Sequence, residues 1–578
     1  MKKVLVTSAL PYANGRVHLG HLAGAYLPAD IFVRWLRLKG LDVCYICGSD
    51  EHGVPITLTA LKRGITPRQV VDEFHAANGA AFEAADVKFD IWGRTSSAEH
   101  YALTKQFFTR LYERGYIEKR QSQQLYSEKS KMFLPDRYVE GECPVCGYSN
   151  ARGDQCDKCG STYEVTELKN PRVAIEGDGS TPVLKTTSHW FLKLDAFGER
   201  LKDWVGKHGL EAGGKAWRTN ALREAGGWLT RGLLPRAITR DTLWGVDIPL
   251  PDPEAKEKRL YVWFDAPIGY VTFTQQYFAS RGKPDEWKEY WQNPDCPIYN
   301  FIGKDNIPFH AITWPAMQIG ANETVPAGER PYELVTQVVA NEFLNLPSEK
   351  NDENEPQKMS KSRGVGVGVG EFAERFGSEP LRYYLTAVAP ENTDSTFTWE
   401  DFMQRYNGEL ADVLGNYVHR VMTFAVNKLG AKVPDFGALG NHAAFAEETK
   451  TAQSTTGSLL DALQFRNALS TVMNCARAGN VYFDANAPWK SIKSDAAECN
   501  RLIYVCLCRA AGLGLMLRPF LPKSAAAILK NFGLNDPFTP GSANLRAEDV
   551  VKPGGAIGKP EVLFKKLEPK DVPEIEVK

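Results

Sequence analysis

Over its first 47 residues the chain runs through an apolar β-branched segment, an amphipathic helical one and a second apolar segment. That alternation constrains the fold more than any other feature. Residues 3–7 and 41–47 read as buried strands. Between them Ala25, Leu27, Ile31, Phe32, Trp35 and Leu38 mark one side of a helix that stops at Gly40. Two buried strands joined by a helix indicate an α/β, doubly wound parallel sheet. Ligands of such sheets bind beyond the carboxyl ends of the strands. Residues 12–21 and Asp50 belong at that edge.

From 117 to about 229, glycines, cysteines and charges break the periodicity, as in an insertion. The α/β pattern returns at 261–264 and 298–302, and a helix carrying Phe309, His310 and Trp314 follows, with Pro315 expected to kink it. Beyond Trp399 the pattern is helical. Tyr406, Leu410, Val413, Leu414, Tyr417, Val421 and Phe424 make one stripe, and Phe465, Leu469, Val472, Met473 and Ala476 a second, as in an antiparallel bundle. The proline-rich tail after Ala547 reads either as a packed arm or as disordered.

A chain of 578 residues has room for about four domains. With 69 basic and 70 acidic residues, it is no globally basic nucleic-acid coater, although a local basic surface is allowed. The opening turns polar at Thr7, too soon for a signal-peptide core. The apolar run 502–517, interrupted by Arg509, reads as a buried helix too short to cross a bilayer. Eleven cysteines, an odd number with four clustered, fit a reducing compartment and a metal site, with the cytoplasm as the default.

Cys143, Cys146, Cys156 and Cys159 form a C-x2-C-x9-C-x2-C set. Each pair suits a tight turn that points two thiolates inward, and two pairs complete a tetrahedron. Four thiolates leave no open position, so one structural zinc per chain is expected. Cys44 and Cys47 share the C-x2-C spacing but lie in a predicted strand, where such positions face opposite sides. They are expected in the core. His18 and His21, three apart at the start of a helix with Gly20 between them, suit a nucleotide whose phosphates meet the imidazoles and the helix N-terminus. Taken alone, the same two histidines fit local hydrogen bonding equally well. Lys358-Met359-Ser360-Lys361-Ser362 sits in a polar stretch, where two ammonium groups can gather polyphosphate oxygens. By itself it also fits a solvated basic loop.

The combination is more specific. The H-x-G-H motif after the first strand, K-M-S-K-S in the second half and the cysteine-bearing insertion between them resemble a class I aminoacyl-tRNA synthetase. Leu10-Pro11-Tyr12-Ala13-Asn14-Gly15, Asp50-Glu51-His52-Gly53, the run 261–270, and Phe301-Ile302-Gly303-Lys304-Asp305 through His310 and Trp314 are similar to the methionyl-tRNA synthetases. The resemblance spans residue 1 to about 540.

It implies a Rossmann-type sheet with a zinc-bearing insertion and a C-terminal helical bundle. The implied units are 1–116 and 231–330 for the two catalytic halves, 117–230 for the insertion, 331–398 for the lysine-motif and stem-contact region, 399–545 for the anticodon-binding bundle and 546–578 for the tail. The implied activity is ligation: L-methionine and Mg-ATP give methionyl-adenylate, and methionine then passes to the 3′ end of tRNA(Met), the initiator included. His18, His21, Lys358 and Lys361 would be catalytic. Asn14, Gly20, Gly303 and Asp305 would join His18, His21 and Lys361 around ATP. Leu10, Tyr12, Asp50, Trp263, Ala266, Pro267, Tyr270, Phe309, His310 and Trp314 would form the methionine pocket, with Asp50 on the substrate ammonium. Asn416, Arg420 and Trp489 would read the anticodon.

Such a pocket suits methionine, whose polarizable sulfur makes favourable contacts with aromatic rings. Tyr12 and His310 could offer it hydrogen bonds. Read singly, Trp314 and Tyr270 fit an ordinary core as well. The signature reads HLGH, with leucine for the usual isoleucine, and the acidic stretch 349–355 matches no signature. No dimerising module is evident, so a monomer is expected. Rival readings are a leucine, valine or cysteine synthetase, a nucleotidyltransferase without tRNA, and a zinc-bearing RNA-binding protein of synthetase descent. The short insertion, the closed thiolate set, the helical bundle and the intact His18, His21 and Lys361 count against them.

Overall fold

A computed structural model describes residues 2–134, 138–153, 156, 158–159, 161, 163–174, 180–209, 217–326, 328–347, 357–359 and 366–573. Five apolar segments meet edge to edge in it. β1 (Lys3–Ser8) lies between β2 (Asp42–Ser49) and β4 (Ile298–Gly303). β3 (Ile91–Arg94) extends the sheet beyond β2, and β5 (Gln337–Asn341) extends it beyond β4. Every pairing is parallel, in the order 3-2-1-4-5, the doubly wound arrangement expected from the first 47 residues. The order reverses beside β1, so the crevice for a ligand opens at the carboxyl ends of β1 and β4. Residues 4–8 of β1 are all buried, which is why that strand reads as a continuous apolar run.

The crossover after β1 is one helical rod in three parts: an α turn Leu19–His21, a wide π turn Leu22–Tyr26, and the helix Leu27–Leu38. The helix Ile268–Ser280 packs on β2 and β3 through Phe273. Gly48 and Gly93 permit that approach, since a Cβ on either would run into the Phe273 ring. Cys44 and Cys47 are buried in β2, as expected of core residues.

The insertion builds its own antiparallel sheet. Ile117–Ser127 pairs with Val183–Leu192 from Ile117 opposite Leu192 to Tyr126 opposite Val183. Arg236–Ala237 closes one edge of it, so this sheet continues past the boundary expected at 230. The cysteine knuckle has a separate small core that includes Leu134, Tyr138, Val139, Cys143, Cys156 and Val165.

Two sequence expectations change. Residues 261–264 do not resume the sheet, because Val262–Asp265 is a single helical turn. Pro267, with φ −64°, caps the following helix and draws the run into it. Pro315 does not sit within a uniform α-helix either. A π turn, Phe309–Thr313, precedes it, and Pro315 lies in the first turn of Trp314–Asn322, where its missing N–H costs nothing.

The C-terminal bundle comprises Asn416–Lys428, Ala443–Asp461, Phe465–Asn486, Ala496–Leu517 and Pro522–Lys530. Ala496–Leu517 runs 22 residues, so the apolar stretch does reach bilayer length, contrary to the sequence reading. It is nevertheless the buried central helix of the bundle, with Arg509 hydrogen-bonded to Thr449 Oγ1 at 2.9 Å and to the Phe445 carbonyl at 2.9 Å. The tail packs as an arm: Leu567 N donates to Asn407 Oδ1 (2.8 Å), and Arg375 Nε donates to the Asp571 carbonyl (3.0 Å). The acidic stretch 349–355 and Lys361 lie outside the described residues.

Candidate active site

The loop after β1 places its motif at the sheet's carboxyl edge. His18 precedes the first helical turn, and its backbone N–H donates to His21 Nδ1 at 3.2 Å. The two rings lie 3.7 Å apart, tilted by 43°. Gly20 keeps the turn close, since a Cβ there would stand 3.1 Å from the His18 ring and 3.2 Å from the Leu344 carbonyl and press on both. The strap 366–369 holds the histidine motif from the other side: Leu19 N donates to Val367 O (3.0 Å), and Val369 N donates to Val17 O (3.2 Å). The Asn14 side-chain oxygen is buried without a partner among the described residues.

Gly303 ends β4, and Asp305 follows it in a 3-10 turn. A Cβ on Gly303 would stand 2.8 Å from Asp305 Oδ1. Lys358 reaches this corner, 3.5 Å from Asp305 Oδ2 and 3.7 Å above the Phe343 ring. Lys304 lies 4.4 Å from the same ring and pairs with Glu342 and Asp394 at 2.7 Å each. Asn14, His18, Gly20 and His21 thus lie where β1 ends, and Gly303 and Asp305 where β4 ends.

The aromatic side chains predicted for methionine converge beside them. Trp263 and Phe309 stack flat, with centroids 3.7 Å apart and planes 4° from parallel. The buried Tyr270 hydroxyl bonds His310 Nε2 at 2.8 Å. His310 Nδ1 faces the Asn306 carbonyl at 3.0 Å, so that nitrogen carries the proton and Nε2 accepts from Tyr270. Burial pushes the His310 pKa down to about 4, so the ring is neutral. Both its nitrogens are engaged, which turns the donor expected for the sulfur toward Asn306 instead. Ala266 and Pro267 are buried, and a Cβ on Gly269 would stand 3.2 Å from Leu10. Trp314 is buried against Phe107 and edge-on to Trp291, in the shell behind the pocket.

Asp50 is joined to the histidine loop by backbone bonds, Asp50 N to Pro11 O (3.0 Å) and Ala13 N to Asp50 O (2.8 Å). The Tyr12 hydroxyl lies over Gly53, which adopts φ +98° and leaves no room for a Cβ. Behind Asp50, the buried Glu51 carboxylate is held by Arg94 Nε at 2.8 Å and by Ser49 Oγ at 2.6 Å. Trp244 Nε1 donates to the Glu51 carbonyl at 2.6 Å. Neither Trp244 nor Arg94 belongs to a recognisable motif. Only the fold brings them to Glu51.

The four clustered cysteines meet. Their sulfurs all lie within 4.8 Å of one another, with Cys143–Cys159 at 3.8 Å and Cys146–Cys156 at 3.7 Å. A tetrahedron with Zn–S bonds of about 2.3 Å has edges of about 3.8 Å. These spacings therefore fit a zinc ion and are far too long for a disulfide.

The three anticodon candidates also come together, at one end of the bundle. Asn416 Nδ2 donates to Asn480 Oδ1 (3.1 Å), and Arg420 pairs with Asp484 and lies over Phe483. Trp489 packs 6.1 Å from Phe483 and remains 44% exposed.

A family model described as "tRNA synthetases class I (M)" matches residues 4–422, and one described as "Anticodon binding domain of methionyl tRNA ligase" matches 433–578. The methionine–tRNA ligase of Chloroherpeton thalassium is 43% identical, covering 100% of this chain and 80% of its own. That of Thermococcus kodakarensis is 46% identical, covering 91% of this chain and 70% of its own. The solved Mycobacterium tuberculosis methionyl-tRNA synthetase in complex with methionyl-adenylate superposes with a TM-score of 0.77 at 25% identity, covering 98% of this chain and 100% of that one.

Proposed function

The chain belongs to the methionine branch of the class I aminoacyl-tRNA synthetases, and from that premise we propose how its residues divide the work. It is a methionine–tRNA ligase, which activates L-methionine with ATP and passes the aminoacyl group to tRNA. The observation that carries the assignment of roles is the meeting of the histidine pair and the aromatic pocket at the ends of β1 and β4.

No enzyme nucleophile is needed. The methionine carboxylate attacks the α-phosphorus of Mg-ATP in line, and pyrophosphate leaves. A ribose hydroxyl at the tRNA 3′ end then attacks the acyl carbon and AMP leaves. The chain's share is positioning and charge stabilisation. His18 and His21 face the phosphates, with Asn14 and the open backbone at Gly20 beside them. Gly303 and Asp305 take the ribose and adenine side. Lys358 and Lys361 neutralise the departing pyrophosphate. Leu10, Tyr12, Trp263, Ala266, Pro267, Tyr270, Phe309, His310 and Trp314 form and back the side-chain pocket, and Asp50 receives the ammonium. Neutral His310 keeps charge away from the thioether.

Cys143, Cys146, Cys156 and Cys159 would hold one zinc, which supplies folding stability to the knuckle and leaves no position open to substrate. Asn416, Arg420 and Trp489 would read unpaired anticodon bases by edge contacts and stacking. The unit boundaries named from the sequence, with the end of the insertion moved past 230 to take in Arg236–Ala237, a monomeric state, a cytoplasmic location and service to the initiator tRNA complete the reading. It is supported by the full-length likeness to methionine–tRNA ligases and by the burial of Ala496–Leu517 within the bundle.

The test is amino-acid-dependent ATP–pyrophosphate exchange with methionine, leucine, isoleucine, valine and cysteine. Exchange with methionine alone is the expected result. Exchange with another of the five would overturn the pocket assignment.

A further inference from the structure

Behind the pocket lies a fully buried polar group that the reaction does not use. His52 Nδ1 bonds the Asp265 carboxylate, and both side chains are at most 1% exposed. His52 Nε2 faces the Tyr101 hydroxyl at 3.1 Å. His100 closes the far side, with Nε2 3.9 Å from Asp265 Oδ2 and Nδ1 3.2 Å from Thr272 Oγ1. Burial by itself would raise the Asp265 pKa, but the fields and hydrogen bonds of His52 and His100 outweigh it and hold the carboxyl below its ordinary range.

The positions of the two partners matter. His52 is two residues from Asp50, on the loop pinned to the histidine motif, and Asp265 directly precedes Ala266 and Pro267, two residues after Trp263. These two walls lie 213 residues apart in sequence. A carboxylate with no access to water is costly unless it is paired, so the contact fixes both ends.

We propose that the His52–Asp265 pair is a positioning strut for methionine recognition, holding the loop that bears Asp50 at a set distance from the wall that bears Trp263, Ala266 and Pro267. The strut rests on the methionine-pocket reading above. It touches neither substrate nor the phosphates. It acts by keeping the ammonium partner and the side-chain pocket in one rigid geometry, where about 1 Å of drift costs on the order of a hundredfold in a positioned reaction. His52 presents Nδ1 to Asp265 and Nε2 to the Tyr101 hydroxyl, so two isosteres separate the roles. Asparagine places an amide where Nδ1 stood, and glutamine places one where Nε2 stood.

The experiment measures the methionine Kd by tryptophan fluorescence without ATP, then the ATP KM and kcat of pyrophosphate exchange at saturating methionine. His52→Gln is expected to raise the methionine Kd about tenfold or more while the ATP KM stays within about twofold, because only the ammonium–pocket geometry is loosened. His52→Asn is expected to recover most of that loss, and Asp265→Asn added to His52→Gln to cost little more, as for partners in one contact. A His52→Gln methionine Kd within about twofold of wild type overturns the strut, as does an equal fall in methionine affinity, ATP affinity and kcat. Should His52→Gln not fold, Tyr101→Phe removes the other end of the imidazole's support. A several-fold weaker methionine Kd then supports the strut, and an unchanged one overturns it. Wild-type exchange is read first: silence with every amino acid removes the pocket reading and the strut with it, whereas an active wild type with an indifferent His52→Gln removes the strut alone.

Discussion

Arg382, in the helix Ser378–Ala387, fastens the anticodon-side bundle to the catalytic sheet. Its guanidinium is fully buried and donates to the carbonyls of Phe520 (2.7 Å), Pro519 (3.0 Å), Asp86 (3.0 Å) and Ala85 (3.4 Å). It also pairs with Asp30 at 2.7 Å. The perturbation is Arg382→Met, which keeps length and apolar volume. Asp30 retains Arg34 at 2.7 Å, so no lone carboxylate remains. Three well-formed carbonyl bonds are lost, each worth about 1–3 kcal/mol when its acceptor stays buried and unpaired. Burial pulls the Arg382 pKa down despite the Asp30 field, so removing the charge recovers part of that sum. Three bonds at about 1–3 kcal/mol each, less that recovery, leave a net loss of about 3–5 kcal/mol, against a typical total of about 5–15 kcal/mol. Urea unfolding followed by far-ultraviolet circular dichroism measures it, and the ratio of tRNA charging to pyrophosphate exchange reads the joint. Charging should fall more than exchange, since the bonds lost tie the bundle to the sheet and none of them is made by a pocket residue. A destabilisation below about 1 kcal/mol would refute the reasoning, because it would mean that the bundle docks by apolar contact alone.

Three further outcomes follow from the geometry. Stripping the metal should open the knuckle, whose core is separate, so protease cuts should cluster in 138–174 while the sheet's circular dichroism persists. His310 is depressed to about 4 from 6.5, so its contribution is complete above pH 6.5 and is lost as pH falls toward 4. In that window the unfolded chain binds a proton that the folded one refuses, a loss of roughly 3 kcal/mol that a His310→Asn variant should lack when urea midpoints are compared across pH. Gly20→Ala should displace the His18 ring and slow exchange about tenfold or more while leaving the methionine Kd unchanged, and an unaltered exchange rate would count against the close packing at that turn.

The sequence discloses what is contiguous. The histidine motif, the cysteine turns and the two bundle stripes each rest on short spacings, and each appears where those spacings put it. The contacts that join distant segments are illegible in it. Nothing in Asp265 announces His52, and Arg382 reads as any helical arginine until Pro519 and Phe520 fold over it. The π turns Leu22–Tyr26 and Phe309–Thr313 escape because one extra residue in a turn barely disturbs an apolar pattern counted in threes and fours. Residues 261–264 mislead for a different reason: β-branched and aromatic residues favour strands only until a capping proline claims the backbone.

Strand β1 lies at the centre of the sheet, yet its two neighbours reach it at very different times. Asp42–Ser49 follows almost at once, whereas Ile298 faces Leu5, and Thr7 Oγ1 donates to Asn300 Oδ1 at 2.9 Å, across 293 residues of chain. At a synthesis rate of about 5–20 residues per second, β4 leaves the ribosome roughly 15–60 s after β1. Throughout that interval the edge of β1 that will carry the central ladder has no partner, and an unpaired apolar edge is a template for other chains. The antiparallel sheet of the insertion, whose strands Ile117–Ser127 and Val183–Leu192 pair with each other, can close in the meantime. The nascent enzyme therefore owns its histidine turn long before it owns β4 and the aromatic residues beyond it, and its most exposed moment is the wait for the second half of one sheet.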